Sequence, residues 1–309
     1  TFDPSLAFNP KSTAIAFTRK GGITRDIVVP RGGDDMFKGQ SFVVNLTGDF
    51  DSVIANQTAV YIELGAKSKG SRATELQKLE HKLADAKKAL DKASKSKESD
   101  KKEAKDPKRS EKIINAILAG EKPLLAHVDR ATDILALLAL KATYGLNLIL
   151  VDAADSVIVA EQIAKAGVPV IMGAMRNLPG SFDSLHTNLE NAGVLTKAGV
   201  KVILTGSGDT HNTHLLRFTA GNAVANGMDY DAALASVTAN VAEVFNLDSG
   251  TIEVGKAADL VLWNDDPFEL STSAEKMWIN GEEQTLESRQ DALRDRYTTN
   301  SDMPRAYTK

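Results

Sequence analysis

After the first hundred residues, short apolar runs alternate regularly with helical segments. The runs Pro123–His127, Leu146–Asp152, Val168–Gly173 and Val200–Leu204 are nearly continuous in apolar residues, and helical patterns such as Ala131–Tyr144 separate them. Strands that are buried on both faces of a parallel sheet have this composition, and crossover helices connect them. The sequence therefore predicts an α/β fold built on a parallel sheet.

Three strand-like runs precede this alternation, and all three are rich in β-branched residues: Asp26–Pro30, Ser41–Leu46 and Thr58–Leu64. The chain thus holds seven such segments before His214. Eight parallel strands close a TIM-type (β/α)8 barrel, so we predict a barrel that lacks its first strand or strands in this chain. The opening TFDPSLAFNP contains no Met, and we expect further sequence upstream of it.

Two regions break this rhythm and define the predicted domain organisation. Residues 72–112 begin with a leucine stripe of helical spacing and continue as a mixed-charge run. This pattern indicates a charged helical insertion with a solvated tip. We predict that the insertion lies within a barrel domain of residues 1–250. A coiled coil is the alternative for the stripe, but two heptads are short for one. Residues 251–285 contain three short strands around turns and predict a small β subdomain, whose partner strands we expect upstream of Thr1; residues 286–309 form a tail.

Composition excludes several classes of function. The net charge of −4 gives no reason to expect a nucleic-acid partner, and no apolar run is long enough to span a bilayer. Cysteine is absent, so disulfides, thiolate metal ligands and cysteine nucleophiles are excluded. We expect neither a nucleic acid nor a membrane as a partner.

Polar side chains are concentrated at the ends of the predicted strands, where the chemistry of α/β barrels takes place. A buried charge without a partner is costly, so a convergent set predicts either mutual pairing or a bound cation. Structural alternatives exist: a buried His satisfied within the core, an Asp that caps a helix, and an Asp that forms a turn. The candidates are Glu63, His127, Asp152, Arg176, Asp209, His211 and His214.

The C-terminal run VGKAADLVLWNDDPFELSTSAEKMWINGEE resembles the closing segment of the amidohydrolase superfamily. Two further stretches, AFNPKSTAIAFTRKGGITRDIVVPRGG and KPLLAHVDRATDILALLALKATYGLNLILVDAADSVIVAEQIAKAGVPVIMG, resemble its imidazolonepropionase-like and Xaa-Pro-dipeptidase-like branch. The resemblance implies a metal-dependent hydrolase that cleaves a C–N bond of a small amide, cyclic amide or peptide-like substrate.

The resemblance also implies a ligand set. Glu63 falls where the family has its bridging Lys or Glu, His127 matches the strand-five His, and Asp152 replaces the strand-six His. We expect these three residues to hold a divalent ion, zinc before manganese or another metal, which would activate water. Asp209, two residues beyond the aligned strand-eight position, is then the catalytic proton carrier. The expected substrate-binding residues are Arg176, His211 and His214.

A rival hypothesis follows from the altered positions. The family's His-x-His pair has no counterpart in this chain, and Asp152 and Ser207 replace two expected ligands. The alternative is a degenerate amidohydrolase-like barrel without catalysis that binds a ligand or a partner subunit. Self-association into a homo-oligomer is left open. The resemblance favours the bacterial periplasm over the cytoplasm.

Overall fold

The structure, a computed structural model, describes residues 2–30, 32, 35–65, 71–95, 109–206 and 208–298. Within these ranges the strands are β1 (Arg25–Val28), β2 (Phe37–Gln40), β3 (Phe42–Asn45), β4 (Val53–Ala55), β5 (Val60–Glu63), β6 (Leu124–Val128), β7 (Leu148–Asp152), β8 (Val170–Met172), β9 (Val202–Leu204), β10 (Leu260–Trp263), β11 (Ala274–Ile279) and β12 (Glu282–Gln284).

The helices in the same ranges are α1 (Thr13–Lys20), α2 (Arg72–Lys95), α3 (Arg109–Leu118), α4 (Ala131–Tyr144), α5 (Ala160–Lys165), α6 (Asn191–Lys197), α7 (Leu216–Ala225), α8 (Tyr230–Ser236), α9 (Ala239–Val244) and α10 (Arg289–Thr298). None of the helices in the described part of the chain combines the length and the apolar character that crossing a membrane requires.

Six strands form the central sheet, in the order β2-β5-β6-β7-β8-β9. Strands β5 to β9 run parallel, and β2 pairs antiparallel with β5 at one edge. The predicted α/β fold with a parallel sheet is therefore confirmed. Across the described ranges no strand pairing joins β9 to β2, so closure of this sheet into a barrel stays a prediction.

The crossover helix α4 shows how the sequence builds this sheet. Its residues Ile134 and Leu137 are buried, which places one apolar face of the helix against the strands. The helix ends at Gly145, whose φ of 70° lies in the left-handed region that favours glycine, and the Gly145 N–H donates to the Lys141 carbonyl at 2.8 Å. The chain can then turn directly into β7.

The apolar clusters on the two faces of the sheet differ in size. On the outer face, residues such as Ile62 and Ala126 pack under the helices in the largest apolar cluster. On the inner face, Tyr61 and Leu125 belong to a smaller cluster that Val244 and Phe245 help to cover. Since alternate residues of a strand point to the same face, the residues two positions after Tyr61 and Leu125 continue the inner face.

Two of the predicted barrel strands lie elsewhere, which corrects the count of seven. The runs Asp26–Pro30 and Ser41–Leu46 overlap with β1 and β3, which pair antiparallel in a separate sheet of order β1-β3-β4. A short β-branched run predicts a strand but does not indicate which sheet the strand joins, and this is the reason for the error.

The sheet β1-β3-β4 packs on a second three-stranded sheet, β10-β11-β12. Phe42 and Val44 of β3 and Met277 and Ile279 of β11 share one buried apolar cluster. The C-terminal sheet therefore packs on strands of this chain, and the expectation of partner strands upstream of Thr1 stays a prediction. An ion pair between Arg25 and Asp259 also joins the two sheets.

The predicted leucine stripe belongs to the main core. Leu79 and Leu83 of α2 are buried in the large apolar cluster, and α2 packs against α3 and α4, so the coiled-coil alternative is wrong for these residues. Helix α2 continues to Lys95, beyond the predicted stripe. The charged run predicted as a solvated tip falls largely on residues 96–108, which lie outside the described residues.

Candidate active site

Three of the predicted site residues lie on neighbouring strands at the carboxyl end of the central sheet. Glu63 is the last residue of β5 and is the register partner of His127 on β6. Asp152 is the last residue of β7 and is the register partner of Val128. The topology therefore brings Glu63, His127 and Asp152 to one rim of the sheet, as the strand-end pattern predicts.

The His127 imidazole, the Asp152 carboxylate and the Arg176 guanidinium form a connected network. Asp152 Oδ2 lies 3.1 Å from His127 Nε2 and 3.4 Å from Arg176 Nη1. The side chain of His127 is only 7% exposed, whereas that of Arg176 is 60% exposed. The network thus runs from the inner face of the sheet to solvent.

The other ring nitrogen of His127 has a different environment. Nδ1 is buried and has no hydrogen-bond partner among the residues that the structure describes. A buried polar atom without a partner costs free energy in the folded state, and such atoms are concentrated at functional sites. His127 is therefore a candidate functional residue and not simply a histidine satisfied within the core.

An unusual backbone conformation positions the Asp152 carboxylate. Asp152 has a φ of 66° and Ala153 a φ of 47°, both in the left-handed region that costs a residue with a Cβ atom about 1–2 kcal/mol. In a regular strand, Asp152 would share the outer face with its register partner Val128. The left-handed turn instead allows the carboxylate to reach His127, so we interpret it as strain that serves the site.

Asp129 is a second carboxyl group at this rim. Burial is the main cause that raises the pKa of Asp129 above its ordinary value of 3.8, and the nearby Asp152 carboxylate adds to it. Three groups lower the pKa of Asp129: His127, the backbone N–H of Ala154 and Arg176. The Ala154 nitrogen lies 3.5 Å from Asp129 Oδ1. The site therefore contains one carboxyl group in contact with Arg176 and His127, that of Asp152, and a second one, that of Asp129, whose pKa is raised.

A cleft of about 300 Å³, a volume that includes open solvent, lies beside these groups. Hydrogen bonds hold the segment before α6, which contributes to the lining: the His186 carbonyl accepts from Asn191 Nδ2 at 2.8 Å, and His186 Nδ1 lies 2.8 Å from Asp155 Oδ1. The lining residues are Asp129, Asp152, Ala154, Met172, Gly173, Arg176, Thr187, Asn188 and Asn191.

Glu63 is close in the fold to His127 but is engaged with other groups. Its Oε2 lies 3.6 Å from Lys38 Nζ, and its Oε1 accepts a long hydrogen bond of 3.5 Å from the Tyr61 hydroxyl. Glu63 is not among the residues that line the cleft. Lys38 lies on β2, the antiparallel edge strand, and no strand-end pattern in the sequence indicates it.

The predicted metal ligands do not assemble into a metal site in this structure. Across the residues described, no three His, Asp or Glu side chains are grouped closely enough to hold a metal ion. The carboxylates of Glu63 and Asp152 each contact a cation of the chain itself, and His127 Nε2 contacts Asp152. Amidohydrolases usually bind a metal, but the arrangement of these three side chains does not fit one, and their role as ligands stays a prediction.

The predicted residues after β9 lie apart from this network. Asp209 and His211 are exposed, and neither lines the cleft. The ring of His214 packs on Phe17 of α1 at 4.3 Å between centroids, and His214 Nδ1 contacts the carbonyl of His211 at 3.0 Å. Their predicted roles in catalysis and substrate binding therefore have no support from the geometry.

Sequence reasoning missed the residues that complete the cleft. Asp129 comes two residues after His127, so the strand-end pattern was sufficient to indicate it as a candidate. Asn188 lies before α6, and Asn191 is its first residue. Asparagines at the start of a helix usually act as caps, so nothing in the sequence indicated that these two line the cleft.

Comparison with known proteins agrees with the resemblance seen in the sequence. The model of the amidohydrolase family matches residues 108–284, which is more than half of the 309 residues. The chain therefore belongs to the amidohydrolase family.

Two curated relatives that the chain resembles are imidazolonepropionases. The chain is 32% identical over 159 residues to an imidazolonepropionase of Rhizobium meliloti (strain 1021), a match that covers 48% of this chain and 36% of that protein. It is 27% identical over 164 residues to an imidazolonepropionase of Maricaulis maris (strain MCS10), which covers 51% of this chain and 39% of that protein. The matched segment thus spans little more than a third of each relative.

A solved structure supports the fold. The crystal structure of an amidohydrolase from Thermotoga maritima MSB8 superposes with a TM-score of 0.81 at 23% identity, over 89% of this chain and 75% of that one. At this identity the likeness shows the fold alone.

Proposed function

We propose that this protein acts on a C–N bond of a small amide or cyclic amide by hydrolysis, with the cleft beside His127 and Asp152 as its active site. The observation that carries the proposal is the network of His127, Asp152 and Arg176 at the carboxyl ends of parallel strands, opening into that cleft. Membership of the amidohydrolase family supports the reaction class.

The charged residues of the site have different proposed roles in the reaction. Arg176 is exposed enough to meet a ligand and donates to a carbonyl oxygen on which negative charge develops. Asp152 holds the His127 imidazole in one orientation, which keeps the pair able to accept a proton from water.

Asp129 is the proposed acid. It lines the cleft together with Asp152 and Arg176, and burial raises its pKa, which favours the protonated form that a donor to the leaving nitrogen needs. The cleft offers Asp129 in the role that the sequence predicted for Asp209.

Hydrolysis of a panel of small amides, cyclic amides and dipeptides by the purified chain tests the proposal, with zinc or manganese added in one series and a chelator in another. We expect turnover of at least one panel member. The variant Asp129→Asn should lower kcat about 10²–10⁴-fold, the usual contribution of a general acid, while Asp209→Asn leaves kcat unchanged. Absence of turnover with and without either metal would contradict the proposal.

The second candidate is a binding protein without catalysis. The observation that favours it is the lack of a grouped metal-ligand set among the residues with a described position. The same panel separates the two functions, because a binding protein shows an increase in melting temperature with a ligand that it does not convert. In that case Arg176→Gln should remove the increase.

A further inference from the structure

The backbone places three residues with metal-binding side chains next to each other. Glu63 and His127 are register partners on adjacent parallel strands, which lie about 4.8 Å apart. Asp152 reaches His127 from the next strand at 3.1 Å. Carboxylate and imidazole groups are good ligands for zinc and manganese, so backbone position alone does not prevent a metal site here.

The side chains of the two carboxylates are occupied by cations of the chain. Lys38 Nζ lies 3.6 Å from Glu63 Oε2, and both side chains are largely buried, 12% and 16% exposed respectively. Arg176 Nη1 lies 3.4 Å from the Asp152 oxygen that also contacts His127. The two cations come from different elements, β2 and the segment after β8.

These contacts compete directly with a divalent ion. A metal needs the lone pairs of Glu63, His127 and Asp152 to point at one position, whereas Glu63 Oε2 is engaged with Lys38 and Asp152 Oδ2 with Arg176 and His127. A divalent ion would also lie close to the positive charges of Lys38 and Arg176, which repel it. The cations satisfy the same need for positive charge that a metal would satisfy.

The geometry points to Lys38 and Arg176 as built-in cations that take the place of a resident metal, so that this site neutralises Glu63 and Asp152 and binds its ligand without a divalent ion. The inference rests on the proposed function only for the position of the cleft. Its readout is metal affinity, so a failure to hydrolyse amides contradicts the proposed function and leaves this inference unaffected.

Zinc and manganese titrations of the full chain by calorimetry, with metal content measured after dialysis, test this inference. The wild-type chain should bind neither ion at this site. The double variant Lys38→Gln/Arg176→Gln should bind zinc at least tenfold more tightly, and adding His127→Ala should remove that gain. Because Arg176 is 60% exposed, the single variant Arg176→Gln keeps the test available if the double variant does not fold, with a smaller gain expected.

A matched control is Lys165→Gln/Lys256→Gln, which removes two exposed cations outside the cleft and changes the net charge equally. It should bind zinc as the wild type does, and circular dichroism checks that every variant is folded. The inference is overturned if the wild-type chain binds about one zinc ion that His127→Ala abolishes. It is also overturned if the cation-removing variants bind zinc no more tightly than the control.

Discussion

The carboxyl ends of β6 and β7 and the loop that follows β9 both carry carboxylate and imidazole groups, but the two regions differ in how firmly they hold these side chains. His127 lies within β6 and Asp152 ends β7, and the two side chains meet at 3.1 Å in a largely buried network. Asp209 lies five residues beyond the end of β9 and is exposed. A polar residue built into a strand is held on a defined face, whereas one in the following loop is free to turn to solvent or to a neighbouring helix.

The largest expected effect is at His127. The substitution His127→Ala should lower the free energy of unfolding by about 2–3 kcal/mol, because it leaves a cavity and removes a partner of the partly buried Asp152 carboxylate. The matched substitution His211→Ala removes an exposed ring and should change it by less than about 0.5 kcal/mol. Urea denaturation of both variants measures the difference, and equal effects would contradict the contrast between the two regions.

A smaller effect is expected from the left-handed turn at Asp152. Asparagine tolerates a φ of 66° better than most residues, whereas a β-branched residue does not. Asp152→Val should therefore destabilise the protein by about 1–2 kcal/mol more than Asp152→Asn, because both variants lose the charge and only valine adds strain. Thermal unfolding of the pair measures this, and equal melting temperatures would show that the turn relaxes without cost.

The smallest effect concerns the titration of Asp129. Its pKa is raised in the folded protein, so the stabilisation linked to its proton is fully present below the ordinary value of 3.8 and is lost as pH rises through the folded value. Stability of the wild type relative to Asp129→Asn should therefore decline as pH rises through that range. Denaturation curves at several pH values measure the decline, and a constant difference would contradict the raised pKa.

Periodicity was sufficient to predict the central sheet. Continuous apolar runs such as Leu124–Val128 indicate a buried parallel strand, and helical spacing indicates the crossovers between the strands. Periodicity did not reveal that β1 and β3 belong to another sheet, since their pairing with each other and their packing on β11 depend on contacts between distant residues. Strand β2 was not predicted, because its sequence FKGQ is not an apolar or β-branched run.

The candidate site was predictable only in part. Strand ends indicated His127 and Asp152, and the pattern also contained Asp129. Their mutual geometry depends on a left-handed turn at Asp152, which neither residue type nor spacing reveals. Lys38 was beyond sequence reasoning, because a lysine in a strand-like run is usually a solvated residue.

The packing of the sheet β1-β3-β4 on β10-β11-β12 has a consequence for synthesis on the ribosome. The ion pair that joins the sheets links residues separated by 234 positions, so at 5–20 residues per second the early strands wait roughly 10–50 s for their partners to emerge. During that interval the apolar side of β3, with Phe42 and Val44, is uncovered. These strands therefore stay open to aggregation and to chaperone capture until after the last residue that lines the cleft, Asn191, has been synthesised.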